Sequence, residues 1–377
     1  MSGEQPEFDT GVALAERARE YLGWYPTADM DILVVGGGVQ GLTLLNELTD
    51  RGYATALVSS SPLGAGQTFD CPGVLAKGYL DPDADRRRAV ADWWLPRTEE
   101  LQVPVEGGEW YVLSSEFPYR HLPDQWDEAG HEYEERDPEA VPEVFGDGSV
   151  FDTGEENVAA IEEYTVDREA LVRALAEGHE DRIVVGDVTG LAFEGSDDAP
   201  TLDRLTVETH RDLTVEFDPE YVVAATGTGT HGFVDSLVGA EGFDGDADRV
   251  RESLSPVTYR NVPVLAVRGP ATDLPAVSAY MPSKGATVVA RRHRHRSENY
   301  VTWYVTTDAS TEEIDPEDAT DDATGTLDPA KVEAGFDRLF ELAPAVKERA
   351  SDDELDGPGP AAEGDIEFYA YATLAQE

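Results

Sequence analysis

The chain has 377 residues, enough for a large core and two domains, and carries 78 Asp and Glu against 28 Lys and Arg, a formal net charge of −50. That balance excludes nucleic acid as a partner, because only one short basic run offsets phosphate charge; with just four lysines (Lys77, Lys284, Lys331, Lys347) it points to a salt-rich cytoplasm, where screening relieves the self-repulsion. A single cysteine, Cys71, excludes an internal disulfide and a cysteine-based zinc site, no apolar run reaches the ~20 residues of a membrane span, and residues 1–28 carry charges where a signal peptide needs an apolar stretch, so a soluble intracellular protein is expected.

Residues 11–24, GVALAERAREYLGW, predict a short amphipathic packing helix closed by Pro26. Asp31 to Ser61 then reads as strand, glycine turn, helix and second strand. Ile32 to Val35 is a continuous apolar run suited to a parallel strand buried on both faces. Gly36, Gly38 and Gly41 give G-x-G-x-x-G at its exit. The first glycine permits the tight turn, the second lets backbone approach a pyrophosphate, and the third lets the helix pack closely on the strand. Leu42, Leu45 and Leu48 recur at helical spacing, Gly52 stops the helix, and Tyr53 to Val58 make the second strand. The unit predicts dinucleotide binding, with the helix N-terminus offering its amides to phosphate.

A glycine-rich loop follows, PLGAGQTFDCPGVLAKGY, and then a helix from Arg86 to Leu101 and a short strand, Glu109 to Leu113, among acidic, proline-broken loops. Asp167 caps a helix, REALVRALAEG, with Leu171, Ala174 and Leu175 on one face. The strand Arg182 to Val185 leads through Gly186, Asp187 and Val188 into a hairpin (Gly190 to Phe193, Leu205 to Thr209, Leu213 to Phe217) and then into Tyr221 to Gly227, YVVAATG, whose small residues let a ligand approach the backbone. Cys71 is expected to be a small apolar filler and His231 a helix cap.

From Val262 longer antiparallel strands are predicted: VPVLAVRG, ATVVARRHRHR and YVTWYVTT, then an acidic loop from Asp308 to Asp328 and a helix from Pro329 to Leu342. The run Arg291 to Arg296, RRHRHR, is the best source of cations. Alternation puts Arg292, Arg294 and Arg296 on one face and Arg291, His293 and His295 on the other. One face lines a substrate cavity or meets an anion or second protomer, or these bases pair with the protein's own carboxylates. His293 and His295 lack a third metal ligand nearby, so no metal is assigned. Tyr300, Trp303 and Tyr304 are core or sheet-face aromatics, with Tyr300 or Trp303 able to reach a cavity.

The βαβ fingerprint, the loop with Gly64, Gly66 and Thr68, the helix VDREALVRALAE followed by GDVTGL, and VVAATG form an ordered series over residues 30–345. The series resembles the D-amino-acid oxidase-like superfamily of FAD-dependent oxidoreductases, closest to its glycine and sarcosine oxidase branch. The resemblance implies an α/β fold, α+β overall: a Rossmann-like FAD-binding domain with a parallel sheet (29–102 and 151–255) and a discontinuous substrate domain on a largely antiparallel sheet (103–150 and 256–345). An N-terminal helical extension (1–28) and a C-terminal segment (346–377) flank them. It implies FAD held by Gly36, Gly38, Val39, Gln40 and Gly41, with Gly66, Gln67 and Thr68 folding over the phosphates. Val188 would meet the adenine through its backbone, Thr226 and Gly227 would lie near the pyrophosphate or ribityl chain, and Gly73, Val74 and Leu75 would run beside the flavin ring. Substrate would be a small amine or amino acid giving up hydride at a C–N carbon, oriented by Arg292, Arg294 and Tyr300.

Two departures bear on this. Where the family has an acid for the ribose hydroxyls, this chain has Ser59, followed by Ser60 and Ser61, with a looser grip expected and an NADPH-dependent reductase as an alternative. The family's later arginine strand and glycine-rich flavin segment are not recognisable in the closing DIEFYAYATLAQE. A nucleotide-binding subunit completed by another chain, or a homo-oligomer, is therefore the other expectation.

Overall fold

The computed structural model describes residues 30–75, 79, 93–115, 119–138, 150–152, 154, 157–196, 199–210, 213–240, 242–243, 246–252, 259–272, 274–295, 298–314, 328–348 and 367–376. The helix expected over 11–24 and the start of the one expected from Arg86 lie outside them. In chain order the strands are β1 (Met30–Val35), β2 (Thr55–Ser59), β3 (Val74–Leu75), β4 (Val105–Ser114), β5 (Tyr133–Arg136), β6 (Asn157–Val166), β7 (Ile183–Ser196), β8 (Ala199–Thr209), β9 (Thr214–Phe217), β10 (Pro219–Ala224), β11 (Tyr259–Pro270), β12 (Ser278–Met281), β13 (Ala286–His295), β14 (Glu298–Thr307), β15 (Glu312–Ile314) and β16 (Glu367–Gln376). The helices that matter below are α1 (Val39–Asp50), α2 (Leu122–Ala129), α3 (Arg168–Ala176), α4 (Thr230–Val238) and α5 (Pro329–Leu342).

The first sheet has the order β10-β1-β2-β7-β8-β9, and its first four strands are parallel. Its central strands are apolar on both faces because both are covered. Val34 and Leu57 pack with Leu42 and Leu45 of α1 and Leu171 and Leu175 of α3, while Leu33, Val35 and Val58 pack with Leu205, Val207 and Phe233 on the other side. Asp167 caps α3 as the sequence predicts, its carboxylate accepting from the Ala170 amide at 3.0 Å. The short strand at Arg182–Val185 and the first hairpin strand are instead one continuous strand, β7. Gly186 makes this continuity workable, since a Cβ there would stand 2.6 Å from the Glu208 carbonyl oxygen of β8.

The second sheet runs β15-β11-β14-β13-β12-β4-β6-β3, with β16 along β11 and β5 on β6. One face packs on α5, where Leu265, Val267, Val301 and Trp303 meet Leu339 and Leu342. The other face carries Trp110, Ile161, Tyr280 and Val289, with Val74 and Tyr304 packed against them, and α2 covers part of it through Leu122 and Trp126. Two expectations are corrected. The acidic loop after Asp308 contains β15, and the closing segment is β16, antiparallel to β11 from Glu367 opposite Arg268 to Gln376 opposite Tyr259. The aromatic-rich run EFYAYATL suits a strand, and β11 supplies the unpaired backbone edge it needs.

A polar cluster ties α1 to the helix over 93–100 and to the end of α3. Arg97 donates to the Asn46 side-chain oxygen, which fixes that amide's orientation, so Asn46 Nδ2 faces His179 Nε2 at 3.1 Å. His179 must therefore accept there and remain neutral. Burial, and then the nearby Arg182 charge, hold its pKa below the ordinary 6.5. A group whose folded pKa is depressed, but which carries charge when protonated, stabilises the fold above its unfolded pKa and loses that stabilisation as pH falls through the window below 6.5. The urea midpoint is expected to fall between pH 7 and pH 5 by more in the wild type than in His179→Gln; parallel pH curves would contradict this.

Candidate functional site

The exits of β1 and β10 build a cradle around three glycines. Gly36 adopts a left-handed φ of 124°, and a Cβ on it would lie 2.1 Å from the Ala225 carbonyl oxygen. The Gly36 amide donates to the Val58 carbonyl at 2.8 Å and the Ala225 amide to the Val35 carbonyl at 2.7 Å, which locks the turn between the neighbouring strands. A Cβ on Gly41 would lie 1.9 Å from the Gly36 carbonyl oxygen, so α1 packs against the turn only because position 41 has no side chain. Gly38 at the N-cap has no side chain with which to cap α1, and the first turn holds no acid, although the whole chain is strongly acidic. No acidic side chain of α1 thus opposes the positive helix end above the turn.

The loop after β2 folds back over this cradle. The Gly64 amide donates to the Gly37 carbonyl at 2.9 Å, and the Val39 amide, the first of α1, donates to Thr68 Oγ1 at 3.0 Å. Arg168 at the start of α3 donates to the carbonyls of Phe69 and Cys71, and the Val166 amide donates to the Gly73 carbonyl at 2.8 Å. Gly73, at φ 75°, sits where a Cβ would strike the Val166 carbonyl oxygen at 2.9 Å. These bonds lead the loop directly into β3, whose Val74 pairs with Thr165.

Several expected residues are placed otherwise. Ser59 is 3% exposed and donates to the Ser61 carbonyl at 2.7 Å. Its hydroxyl occupies the space a Cβ on Gly37 would need, so it is turned under the glycine turn rather than outward; Ser60 is the exposed serine, and His210 bonds its carbonyl oxygen at 3.1 Å. Cys71 is exposed, with its thiol on the Thr68 carbonyl at 3.3 Å, and is not a buried filler. Val188 lies in β7 opposite Val207, at the irregularity before Gly190. Thr226 and Gly227 follow β10, where Thr230 Oγ1 bonds Thr226 Oγ1 at 3.1 Å and donates to the Gly227 carbonyl at 2.6 Å. Gly66 has a left-handed φ of 76°. The side chains of Gln67, His231, His293, Arg294 and His295 lie outside the described residues, as does Arg296.

The structure separates Arg292 from Tyr300, two of the residues expected to orient substrate. Register pairs Arg292 with Val301, whose side chain packs on the α5 side of the second sheet. Arg292 is exposed and ion-paired to Glu106 at 3.3 Å. Tyr300 is 9% exposed and belongs to the opposite face, the one that carries Val74. There Thr302 pairs with Arg291 on one side and with Arg268 on the other, so the two guanidinium-bearing residues flank a buried threonine in one row. The Arg268 guanidinium lies 5.4 Å from the centre of the Tyr300 ring. Trp110 and Tyr280 pack on this face with ring centres 5.2 Å apart.

The family described as FAD dependent oxidoreductase matches residues 31–356. The chain belongs to this FAD-dependent oxidoreductase family. A segment of 48 residues is 50% identical to a probable FAD-dependent oxidoreductase of Pseudomonas aeruginosa, covering 13% of this chain and 12% of that protein. The crystal structure of the Pseudomonas FAD-dependent oxidoreductase superposes with a TM-score of 0.54 at 21% identity, over 93% of this chain and 79% of that one. Glycine oxidase from Geobacillus kaustophilus superposes at TM-score 0.63 and 15% identity, over 93% and 84% of the two chains. L-alpha-glycerophosphate oxidase from Mycoplasma pneumoniae with FAD bound superposes at 0.64 and 16%, over 92% and 83%. At these identities the superpositions establish a shared fold.

The cradle fits the cofactor the family uses. Three positions tolerate no or little side chain, the first turn of the helix above them is free of acids, and Thr68 ties the covering loop to its first amide. Arg268, Arg291 and Thr302 carry no signal in the sequence that marks them as site residues. Strand alternation was legible in RRHRHR, but which face looks away from α5 depends on Trp303 and Val301 packing against that helix, which only the tertiary structure reveals.

Proposed function

We propose that this FAD-dependent oxidoreductase acts on the C–N bond of a small amine or amino acid. The observation that carries the reading is the row Arg291, Thr302, Arg268 on the face that also bears Val74 and Tyr300. In this reading the backbone of Gly36, Gly38, Val39, Gln40 and Gly41 holds the pyrophosphate, and Gly66, Gln67 and Thr68 cover it. Val188 meets the adenine, Thr226 and Gly227 lie beside the phosphates, and Gly73, Val74 and Leu75 line the flavin ring. Ser60, rather than Ser59, faces the ribose.

When bound, FAD supplies the acceptor for a hydride leaving the substrate carbon. The chain's own residues bind and orient. Arg291 and Arg268 receive a carboxylate, Thr302 adds a hydroxyl donor between them, and Tyr300 gives the aromatic wall. Burial, and then the Glu163 charge, push the Tyr280 phenol well above its ordinary range, so it is a neutral hydrogen-bond donor and not a base. Resemblance to enzymes such as the Geobacillus glycine oxidase supports the nitrogen substrate. The test is product analysis after turnover with glycine, sarcosine and proline. Hydrogen peroxide or a reduced dye, formed in step with glyoxylate and ammonia or methylamine from glycine or sarcosine, or with a cyclic imine from proline, supports the reading; turnover confined to hydroxy substrates contradicts it.

The partner is read as a small amine or amino-acid substrate, with a homo-oligomer or a completing subunit as the alternative, and the setting as a salt-rich cytoplasm. No helix among the described residues is long and apolar enough to cross a membrane. A net charge of −50 makes repulsion the dominant surface term at low ionic strength. The melting temperature is expected to rise by at least ~10 °C between 0.1 M and 2 M KCl, measured by calorimetry; a flat response would contradict the halophilic reading.

A further inference from the structure

In the first sheet β7 lies between β2 and β8. The parallel register of β2 and β7 ends with Ser59 opposite Val185, so Ser60 leaves the sheet beside Gly186, and Gly186 pairs on its other side with Thr209 of β8. His210, the next residue, reaches back across this row, its Nε2 lying 3.1 Å from the Ser60 carbonyl oxygen. Gly186, in the middle, has no side chain to stand between them. A carbonyl oxygen only accepts, which places the hydrogen on Nε2. The turn that carries His210 is itself fixed: Thr209 is buried, its amide donates to the Leu213 carbonyl at 2.9 Å, and the Leu213 amide donates to Thr209 Oγ1 at 3.2 Å. A rigid turn thus grips the exit of β2 from 150 residues away in the chain.

That exit is where the ribose is read to lie. Ser59 turns its hydroxyl under the glycine turn, which leaves the ribose to Ser60, an exposed residue beyond the last pair of the β2–β7 ladder. Val188, read as meeting the adenine, stands two residues past Gly186 on β7. We propose that His210 is a positioning residue of the cofactor site, holding Ser60 so that its hydroxyl meets the adenosine ribose of FAD, the task the family gives to an acid. The inference rests on the placement of the adenosine at Ser60 and Val188. A serine hydroxyl lacks the charge-assisted, two-pronged grip of a carboxylate, so its contribution depends on being held in place before the cofactor arrives.

The test is FAD affinity, read by the quenching of flavin fluorescence on titration into apoprotein at high salt. His210→Leu is expected to weaken binding about three- to tenfold, the range of one neutral hydrogen bond, and Ser60→Ala by a similar factor. His210→Gln, whose amide nitrogen can donate to the same carbonyl, should stay within about twofold of wild type. Because His210 acts through Ser60, the double variant should bind within about twofold of the weaker single variant. Unchanged affinity in His210→Leu or in Ser60→Ala, equal losses in His210→Leu and His210→Gln, or losses that multiply in the double variant would each overturn the proposal. His210→Ala gives the same reading if His210→Leu does not fold. Gly41→Ala separates this failure from failure of the cofactor placement itself. If Gly41→Ala loses FAD and His210→Leu does not, the cradle stands and His210 has no part in it; if both bind as wild type does, the placement falls as well.

Discussion

Gly41→Ala is expected to strip the protein of FAD. Alanine ordinarily favours a helix over glycine by about 1 kcal/mol, so propensity alone predicts a gain. The close approach reverses the sign, because the new Cβ would stand 1.9 Å from the Gly36 carbonyl oxygen, a backbone atom of a residue whose amide is bonded to the Val58 carbonyl. Relief requires α1 to move off the strand, at a cost of about 3 kcal/mol, and the amides at its N-terminus move with it. FAD affinity should fall at least ~100-fold, measured by the quenching of flavin fluorescence on titration into apoprotein. Gly232→Ala in α4, where a Cβ would meet nothing within 4 Å, is the control and should leave affinity unchanged. Equal affinity in Gly41→Ala and wild type would remove the glycine turn from the cofactor site.

Arg291→Met is expected to raise KM for an amino-acid substrate ~10- to 100-fold while changing kcat little, the range spanned by the loss of a hydrogen-bonded charge of about 1.5–3 kcal/mol. The adjacent Arg292→Met should change both constants less than twofold, since that guanidinium is exposed and held in a surface ion pair with Glu106. Such opposite behaviour of neighbouring arginines follows from strand alternation. Equal losses in the two variants, or none in either, would dissolve the proposed row. Flavin content serves as the folding check in both.

The cofactor cradle was readable from the chain because its requirements are local. Three glycines at fixed spacing, an apolar strand before them and a leucine-faced helix after them leave little other structure for Asp31 to Ser61 to adopt. The cap at Asp167 and the helix from Pro329 to Leu342 were legible for the same reason. What was not legible depends on partners distant in sequence. Ser59 reads as an outward residue at a strand end, yet its hydroxyl turns inward because Gly37 leaves a hollow there. EFYAYATLAQE has no family signature, and only the backbone edge of β11, about a hundred residues earlier, makes it a strand. Glu163 lies in the sequence among other acids, EEYTVD, and nothing local separates the buried carboxylate from the exposed Glu162 beside it. The RRHRHR run shows how such ambiguity arises, since alternation divides its side chains between two faces and the α5 contacts of neighbouring strands decide which is which.

The most direct measurement is anaerobic reduction of the FAD-loaded protein, purified at high salt, followed by loss of its visible absorption on mixing with small substrates. The account predicts bleaching by at least one of glycine, sarcosine, proline or a related amino acid or amine, slowed at low concentration by Arg291→Met and not by Arg292→Met. Bleaching by glycerol 3-phosphate or another hydroxy compound, with none by any amine, would contradict it.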